Sequence, residues 1–332
     1  QIQDEVYVYG SFSQSRMHRE GVRCSDCHNP HSLELKFNGN RLCTQCHTPG
    51  KYDTPVHHHH PADSAGAQCI ECHMPARTYM VVDPRRDHSF RIPRPDLSVE
   101  LGTPNACNGC HTAPAETPEW AAARIRQWYG ERRSDDPHWA PAIAAGRAGE
   151  SNAAEKLAAV LSRQHTPAIV KATAIDLLST LPAADNLIGS AATRELLGPF
   201  LGDSDPLVRT AAVRGIQVNE PKQLQRTLLP YIDDPSRPVR TAAALRLLDV
   251  PDSWLAPSDS RSLRRALDEY RATQEVYLER AGTHMNLGHL ARGLGNPRLE
   301  AEEFRHAILL EPYTTDAKAE LAARIHEKGR RG

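Results

Sequence analysis

The stretch CSDCH at residues 24–28 decides how the first third of this chain folds. A histidine directly follows the second cysteine of a Cys-x-x-Cys pair, and the arrangement returns as CTQCH at 43–47, CIECH at 69–73 and CNGCH at 107–111. These four motifs contain all eight cysteines of the 332-residue chain. One explanation should therefore account for every cysteine.

Four kinds of site use paired cysteines: a structural zinc ion, a disulfide framework, a thioredoxin-like redox centre and a covalently attached haem c. Haem attachment alone requires histidine after the second cysteine, because that residue becomes the proximal iron ligand while two thioether bonds hold the porphyrin edge. The motifs therefore predict four haem c groups, held by Cys24, Cys27, Cys43, Cys46, Cys69, Cys72, Cys107 and Cys110, with His28, His47, His73 and His111 as proximal ligands.

The composition of the first part of the chain agrees with this prediction. Residues 1–115 hold every cysteine and 11 of the 17 histidines, with few runs of Leu, Ile or Val. Such a segment cannot build an ordinary apolar core from its own side chains. We expect four haems to supply the interior, with loops and tight turns between them and each motif on a short helix.

The sixth iron position separates an electron carrier from a haem enzyme, because a filled position favours electron transfer and an open one favours substrate chemistry. Four groups of spare histidines are available for four haems. One ligand is expected from the cluster 57–60, with His58 or His60 preferred, and Met80 is the alternative to histidine ligation. The predicted distal ligands are His18, His31, His58 or His60, and His88.

One of these ligands cannot share an iron with its nearest motif. His31 lies three residues after His28. Three residues span at most about 10 Å, too little to pass around a porphyrin to its other face. His31 is therefore predicted to serve a different haem, which would link neighbouring haems closely.

The second half of the chain contains no cysteine and is rich in Ala, Leu and Arg, which predicts helices throughout. LGDSDPLVRTAAVRGI at 201–216 aligns with IDDPSRPVRTAAALRL at 232–247, and TPAIVKATAIDLLSTL at 166–181 is a weaker copy. An Asp-Pro turn followed by Val-Arg and small residues resembles HEAT repeats, which stack helix pairs into a solenoid. The arginine and aspartate of the repeat are predicted to bond between adjacent repeats, with a purely surface role as the alternative.

Near the end of the chain, one segment partly resembles a tetratricopeptide repeat. The matching positions are Leu287, Gly288, Phe304, Ala307 and Pro312. No catalytic constellation is evident in this half, and its histidines at 165, 284, 289, 306 and 326 are interpreted as surface residues.

The predicted architecture is mostly α: a loop-rich tetrahaem domain followed by an α-solenoid. Thr117 and Pro118 predict a helix start that closes the haem domain. The predicted boundaries are 1–130 for the haem domain, 131–150 for a connector, 151–255 for HEAT-like repeats and 256–332 for a tetratricopeptide-like hairpin with a capping helix.

The motifs, together with CHNPH, ECHMP and DHSF, resemble those of multihaem c-type cytochromes, more closely the tetrahaem proteins that carry HEAT or tetratricopeptide repeats after the haems. The resemblance implies bis-histidine, low-potential haems matured outside the cytoplasm. Some motifs are shared with the nitrite-reductase group. That group replaces the motif histidine of its active haem by lysine, and all four motifs here keep histidine.

These observations predict an electron carrier rather than an enzyme, working in the periplasm or outside the cell with its signal peptide removed, since the chain begins at Gln1. A net charge of −1 indicates no nucleic-acid partner, and no apolar run is long enough for a transmembrane span. The expected partners are redox proteins or other copies of the chain, including a homopolymeric conductive filament. The alternative is a haem enzyme in which one open iron reduces a small nitrogen or sulfur oxyanion.

Overall fold

The computed structural model describes residues 8–131, 138–181, 190–248 and 250–329. Within them the protein is mostly helical, as predicted, with one antiparallel hairpin of two short strands. Contacts between Cα atoms divide the chain into two compact units, with the boundary after Lys171. Each unit is described by itself below.

The first unit consists largely of very short helices. A helix of four or five residues has no stability of its own, so tertiary contacts must hold it. The strands β1 (Ala76–Tyr79) and β2 (Asp83–Arg86) pair in antiparallel register. The helices are α1 Val8–Phe12, α2 Arg16–Arg19, α3 Cys24–Cys27, α4 Arg41–Thr44, α5 Pro49–Tyr52, α6 Pro55–His58, α7 Cys69–His73, α8 Pro95–Leu101, α9 Pro118–Tyr129, α10 Ala140–Ala148 and α11 Ala153–Leu161, with 3-10 turns at Ala65–Ala67 and Cys107–Gly109.

Residues 8–117 have almost no apolar core. Leaving proline aside, their buried hydrophobic residues are Phe12, Ala67 and Leu97. Many other large apolar side chains of this segment are instead exposed, which is costly unless something covers them. They include Leu33, Leu35, Val56, Met80, Val81, Val82 and Ile92.

The first unit closes with three longer helices that bury apolar side chains of their own. The Thr117 hydroxyl caps α9 by accepting a hydrogen bond from the Trp120 amide, and Pro118 occupies the first helical position. Helix α9 ends at Tyr129 before Gly130, and its predicted start is confirmed. Helix α9 contacts α8, while α10 contacts both α8 and α11.

The second unit contains the longer helices of the chain. Its main core consists largely of buried leucines, valines and alanines, and a smaller cluster lies at Ala281, Ala307 and Ala317. Helix α12 (Ala168–Thr180) crosses the boundary between the units. The others are α13 Ser190–Leu197, α14 Pro206–Gly215, α15 Pro221–Leu228, α16 Arg237–Arg246, α17 Pro257–Glu275, α18 Ala281–Gly293, α19 Pro297–Leu310 and α20 Thr315–Gly329, with 3-10 turns at Gly198–Gly202, Leu229–Asp233 and Asp252–Trp254.

The two aligned sequence copies adopt the same local structure. In each copy a 3-10 turn leads into an aspartate whose carboxylate accepts the amide two residues later, at 2.9 Å for Asp203 and 2.8 Å for Asp234. The helix that follows carries a valine at the same position in both copies, and this valine, Val208 or Val239, is fully buried. Helices α14 and α16 contact each other, so the two copies pack side by side.

The repeat arginines bond forward to the next helical segment. The Arg209 guanidinium donates to both carboxylate oxygens of Asp234, at 2.9 and 3.0 Å, which joins the first copy to the second. Arg240, the equivalent residue, donates to Glu269 of α17 at 2.6 Å. The predicted bond between an arginine and an aspartate of adjacent repeats is present for Arg209. In the last copy, Arg240 bonds to a glutamate instead of a repeat aspartate.

The hairpin of α18 and α19 depends on a small residue at its crossing. A Cβ atom on Gly288 would lie 2.5 Å from Cε1 of Phe304, whose side chain is fully buried. One histidine here corrects the sequence interpretation, since His284 is buried rather than at the surface. Its polar ring is accommodated because both nitrogens have hydrogen-bonding partners.

Candidate haem sites

Each Cys-x-x-Cys-His motif folds around one helical turn, whether α or 3-10. The backbone amide of the motif histidine bonds to the carbonyl of the first cysteine at 2.9 Å for His28, 3.0 Å for His47 and 2.9 Å for His111. The third motif forms helix α7 outright, ending at His73. This turn holds two thiols and one imidazole close together, as covalent attachment of one porphyrin requires.

Thiols of successive motifs lie near one another in chain order. Cys27 interacts electrostatically with Cys46, and Cys72 with Cys107 and Cys110. The thiols of Cys43 and Cys69 are hydrogen-bonded to each other. The four motifs therefore form a continuous series in which each attachment point lies beside the next.

The surroundings of several motif thiols favour the neutral form. None of the eight cysteines forms a disulfide. Burial raises the pKa of the Cys72 thiol to about 11, and burial also raises the pKa values of Cys27 and Cys107. The hydrogen bond with Cys43 instead lowers the pKa of Cys69. Neutral thiols are suitable for thioether formation.

Three of the four motif histidines face a second imidazole. Metal–imidazole bonds of about 2 Å, with about 1 Å more from nitrogen to ring centre, put two trans imidazole centroids roughly 6 Å apart. The ring centroids of three pairs lie at this separation: 6.4 Å for His28 and His88, 6.2 Å for His73 and His57, and 6.0 Å for His111 and His60. Each of these pairs can hold one iron between its rings.

The Nδ1 atoms of three of the six facing rings, those of His28, His73 and His88, are engaged with backbone carbonyls. A carbonyl only accepts, so each of these Nδ1 atoms carries the proton and leaves the Nε2 lone pair for a metal. The residues present thus fit haem iron in both tautomer and spacing. The Nδ1 contacts are His28 with the Leu33 carbonyl at 3.0 Å, His73 with that of Arg91 at 2.9 Å, and His88 with that of Arg86 at 2.9 Å.

The fourth motif has a different partner for its imidazole. His111 Nδ1 lies 2.9 Å from Oε1 of Glu116, whose Oε2 accepts the Ala113 amide at 3.1 Å. The hydrogen bond with His111 lowers the pKa of Glu116. A carboxylate in this position makes the imidazole a stronger electron donor to a bound metal than a carbonyl does.

A change of backbone direction divides the histidine cluster between two sites. Helix α6 ends at His58, and His59 has a left-handed conformation with φ of 56°. His57 therefore faces His73, while His60 lies on the other side and faces His111. Gly66 makes room for the His60 ring, because a Cβ atom there would lie 2.3 Å from its Cδ2.

The remaining two histidines of the cluster do not face a motif histidine. The His58 Nδ1 accepts the His60 amide at 3.2 Å. The His59 ring stacks on Trp128 with centroids 4.2 Å apart, and its Nε2 is buried without a hydrogen bond among the described residues. The sequence predicts one ligand from this cluster, with His58 or His60 preferred, whereas His57 and His60 are the members that lie near motif histidines. Nothing in the local sequence signals the left-handed residue that separates the two rings.

The β-hairpin positions His88 opposite His28. Arg86, at the end of β2, forms a 2.6 Å salt bridge with Glu71 and donates to the Met74 carbonyl at 3.1 Å. These contacts tie the hairpin to helix α7, two residues before His88. Met80 lies at the exposed hairpin turn, 67% exposed, and away from the paired imidazoles.

The other predicted distal ligands stand apart from the motif histidines. The His18 ring packs edge-on against Phe12 with centroids 5.3 Å apart, and His31 is exposed. His47 makes an edge contact with Tyr52 at 5.7 Å. Within the described residues, no histidine ring contacts the ring of His47.

Motifs of this kind indicate covalent binding of haem c, which supports a c-type multihaem cytochrome. Residues 18–52 match the family model for the doubled CXXCH motif, a segment that includes the first two attachment sites. No curated protein and no solved structure matches the chain. The described helices include none that is long and apolar enough to cross a membrane.

Proposed function

We propose that this protein carries four haem c groups and transfers electrons along them, without bond chemistry by its side chains. The observation that carries the proposal is the set of three imidazole pairs at bis-histidine spacing. His28 and His88, His73 and His57, and His111 and His60 would each hold one iron. When bound, haem c supplies a one-electron couple at each site.

The chain contributes spacing and orientation to this function. The thiols of successive motifs lie near one another, and close attachment points favour transfer from one site to the next. The Nδ1 hydrogen bonds hold the facing rings in one orientation. Exposed apolar side chains such as Leu33 and Ile92 would cover porphyrin faces and exclude water.

The helical second unit is proposed to act as a scaffold of HEAT-like and tetratricopeptide-like helix pairs. Packed helix pairs with arginine bonds between them support this role. The proposed partners are redox proteins or other copies of the chain, including a filament outside the cell. In such an assembly, the exposed His31 of one copy is available to a haem of another.

A second candidate function follows from His47. Its ring has no facing histidine among the described residues, so a haem there would have an open iron position. An open position permits reduction of a small nitrogen or sulfur oxyanion. The electron carrier and the enzyme therefore differ only in whether the iron on His47 has a second axial ligand. Both would transfer electrons through the other haems.

Spectroscopy and mass measurement of the purified protein test the proposal. We expect an intact mass that exceeds the polypeptide by four haems, and an electron paramagnetic resonance spectrum with at least three low-spin ferric centres. Fewer than four haems would contradict the proposed cofactor content. A high-spin centre lost in His47→Ala would favour the enzyme, while four low-spin centres in the isolated monomer would exclude an open site.

The site of action and the assembly state need separate measurements. Fractionation of cells that express the full-length protein should place the haem-loaded form outside the cytoplasm. Negative-stain microscopy of the same preparation distinguishes filaments from single particles. Haem-loaded protein found only in the cytoplasm would contradict the proposed location, whatever the assembly state.

A further inference from the structure

A cluster of three potential metal ligands lies on the hairpin of α18 and α19, in the unit that carries no haem motif. His284 is on α18, and Glu303 and His306 are on α19. One ligand atom from each residue lies within 4.8 Å of the others. Glu303 and His306 are three residues apart, so they project from the same face of α19.

The hydrogen bonds of His284 set its Nδ1 beside a carboxylate, a position that suits a positive charge. Its Nε2 lies 2.9 Å from the Leu278 carbonyl, which only accepts, so this nitrogen carries a proton. Its Nδ1 lies 2.7 Å from a carboxylate oxygen of Glu303. Nδ1 and this oxygen are therefore two neighbouring electron-pair donors of the kind that a metal ion binds.

The surroundings of Glu303 do not supply that charge from elsewhere. Its side chain is 15% exposed and that of His284 11% exposed, so water shields the carboxylate weakly. Within the described residues, the salt bridges of Glu303 include no lysine or arginine. A buried carboxylate without a cation is costly, so this position attracts one.

The backbone that carries the three ligands is rigid. Helices α18 and α19 form many contacts, and the fully buried Phe304 packs against Gly288 between them. Gly288 is one turn after His284, and Phe304 is next to Glu303. The ligand positions are therefore held by the core of the hairpin rather than by a loop, as metal selectivity requires.

We propose that His284, Glu303 and His306 form a binding site for a divalent transition metal of the zinc, nickel or copper class. Two imidazoles and one carboxylate suit these ions, whereas calcium and magnesium take oxygen ligands. The Leu278 carbonyl orients the His284 ring with Nδ1 toward the ion. His306 is exposed, so the ion enters from solvent, and water can complete the coordination.

Calorimetric titration of the haem-loaded protein with zinc tests this site, with the bound metal counted by elemental analysis after dialysis. His306→Ala is the main variant, because its exposed side chain can be removed without a cavity. His289→Ala is the matched control, an exposed histidine on α18 outside the cluster. We expect one zinc ion in the wild type and the control, with a Kd at least roughly tenfold weaker in His306→Ala.

Two further outcomes complete the experiment. Glu303→Gln should weaken zinc binding as His306→Ala does, while unchanged haem spectra and circular dichroism show that the fold is intact. Zinc held by other histidines, such as the exposed His31, would persist equally in every variant and is subtracted. The proposal is overturned if wild type and His306→Ala bind zinc equally. It is also overturned if His289→Ala loses the zinc ion that His306→Ala loses.

Discussion

His111 Nδ1 and Oε1 of Glu116 are 2.9 Å apart, and this contact distinguishes the fourth motif from the first and third. His28 and His73 bond to backbone carbonyls in the equivalent position. A carboxylate strengthens electron donation by the imidazole and so stabilises ferric over ferrous iron. Among these three sites, this interaction should lower the reduction potential most for the haem on His111.

Glu116→Gln should raise the potential of one haem and leave the others unchanged. Glutamine keeps a hydrogen-bond acceptor but removes the negative charge next to His111. Because Glu116 is exposed to water, we expect a modest change, about 30 mV or roughly threefold in the redox equilibrium constant. Spectroelectrochemical titration of the purified protein measures the four potentials.

Glu119→Gln is the matched control for this experiment. Glu119 is also an exposed carboxylate, and its hydrogen bond is to Thr117 rather than to a histidine. The control should leave all potentials within experimental error. A fall in potential in Glu116→Gln, or equal shifts in both variants, would contradict the role assigned to Glu116.

Gly66→Ala should displace His60 and open the haem site on His111. The added Cβ would lie 2.3 Å from Cδ2 of His60, and no rotation of an alanine relieves that overlap. We expect a high-spin ferric signal from one haem, comparable to that of His60→Ala. Electron paramagnetic resonance and near-infrared magnetic circular dichroism detect the change.

Gly50→Ala provides the comparison for this substitution. No atom lies within 4 Å of the Cβ that alanine would add at position 50, so the spectrum should stay that of the wild type. His58→Ala should also keep all low-spin signals, since His58 faces no motif histidine. Wild-type spectra in both Gly66→Ala and His60→Ala would remove His60 as a ligand.

Arg86→Met should release the β-hairpin from helix α7 and loosen the position of His88. The substitution removes the salt bridge to Glu71 and the hydrogen bond to the Met74 carbonyl, while it keeps most of the side-chain volume. We expect partial high-spin character at the haem on His28 and faster proteolysis at the hairpin. Arg16→Met, whose partner Glu20 is exposed, should change neither measurement.

Arg209→Met should destabilise the second unit strongly. It leaves the Asp234 carboxylate, whose side chain is 8% exposed, without its cation. Loss of one partner of a buried pair costs about 3 kcal/mol. Arg265→Met is the control: its pair with Asp233 is 60% and 58% exposed, so the cost should be below about 1 kcal/mol. Urea unfolding followed by circular dichroism measures both.

The pH dependence of stability should identify the same carboxylate. Burial raises the pKa of Asp234, but its hydrogen bonds from Arg209 and the Ser236 amide outweigh burial and lower the pKa overall. A lowered pKa stabilises the folded state above the unfolded pKa of about 3.9, and that stability is lost as pH falls through the folded pKa. In Arg209→Met the effect of burial on the pKa of Asp234 dominates. Protonation of Asp234 in acid should then no longer reduce the free energy of unfolding. If the free energy of unfolding of Arg209→Met fell at low pH as it does in the wild type, this assignment would be contradicted.

Attachment of haem could be predicted from the sequence because each motif is local. Two cysteines and a histidine within five residues occupy one helical turn wherever the chain places it, as for residues 24–28. The helix at Thr117 was also predictable, since a cap and a proline act within one turn. The alignment of 201–216 with 232–247 likewise indicated where two equivalent helices begin.

The imidazole that lies near His28, His73 or His111 was decided only by the tertiary structure. His88 lies 60 residues from His28, and its place depends on Arg86 and Glu71, which no local pattern connects. His57 and His60 separate because one residue between them is left-handed, a conformation that costs little only in the right surroundings. Burial of His284 follows from packing of one helix on another. Interactions within one helical turn depend only on neighbouring residues and can be predicted from them. Contacts between distant segments form only when the whole chain packs.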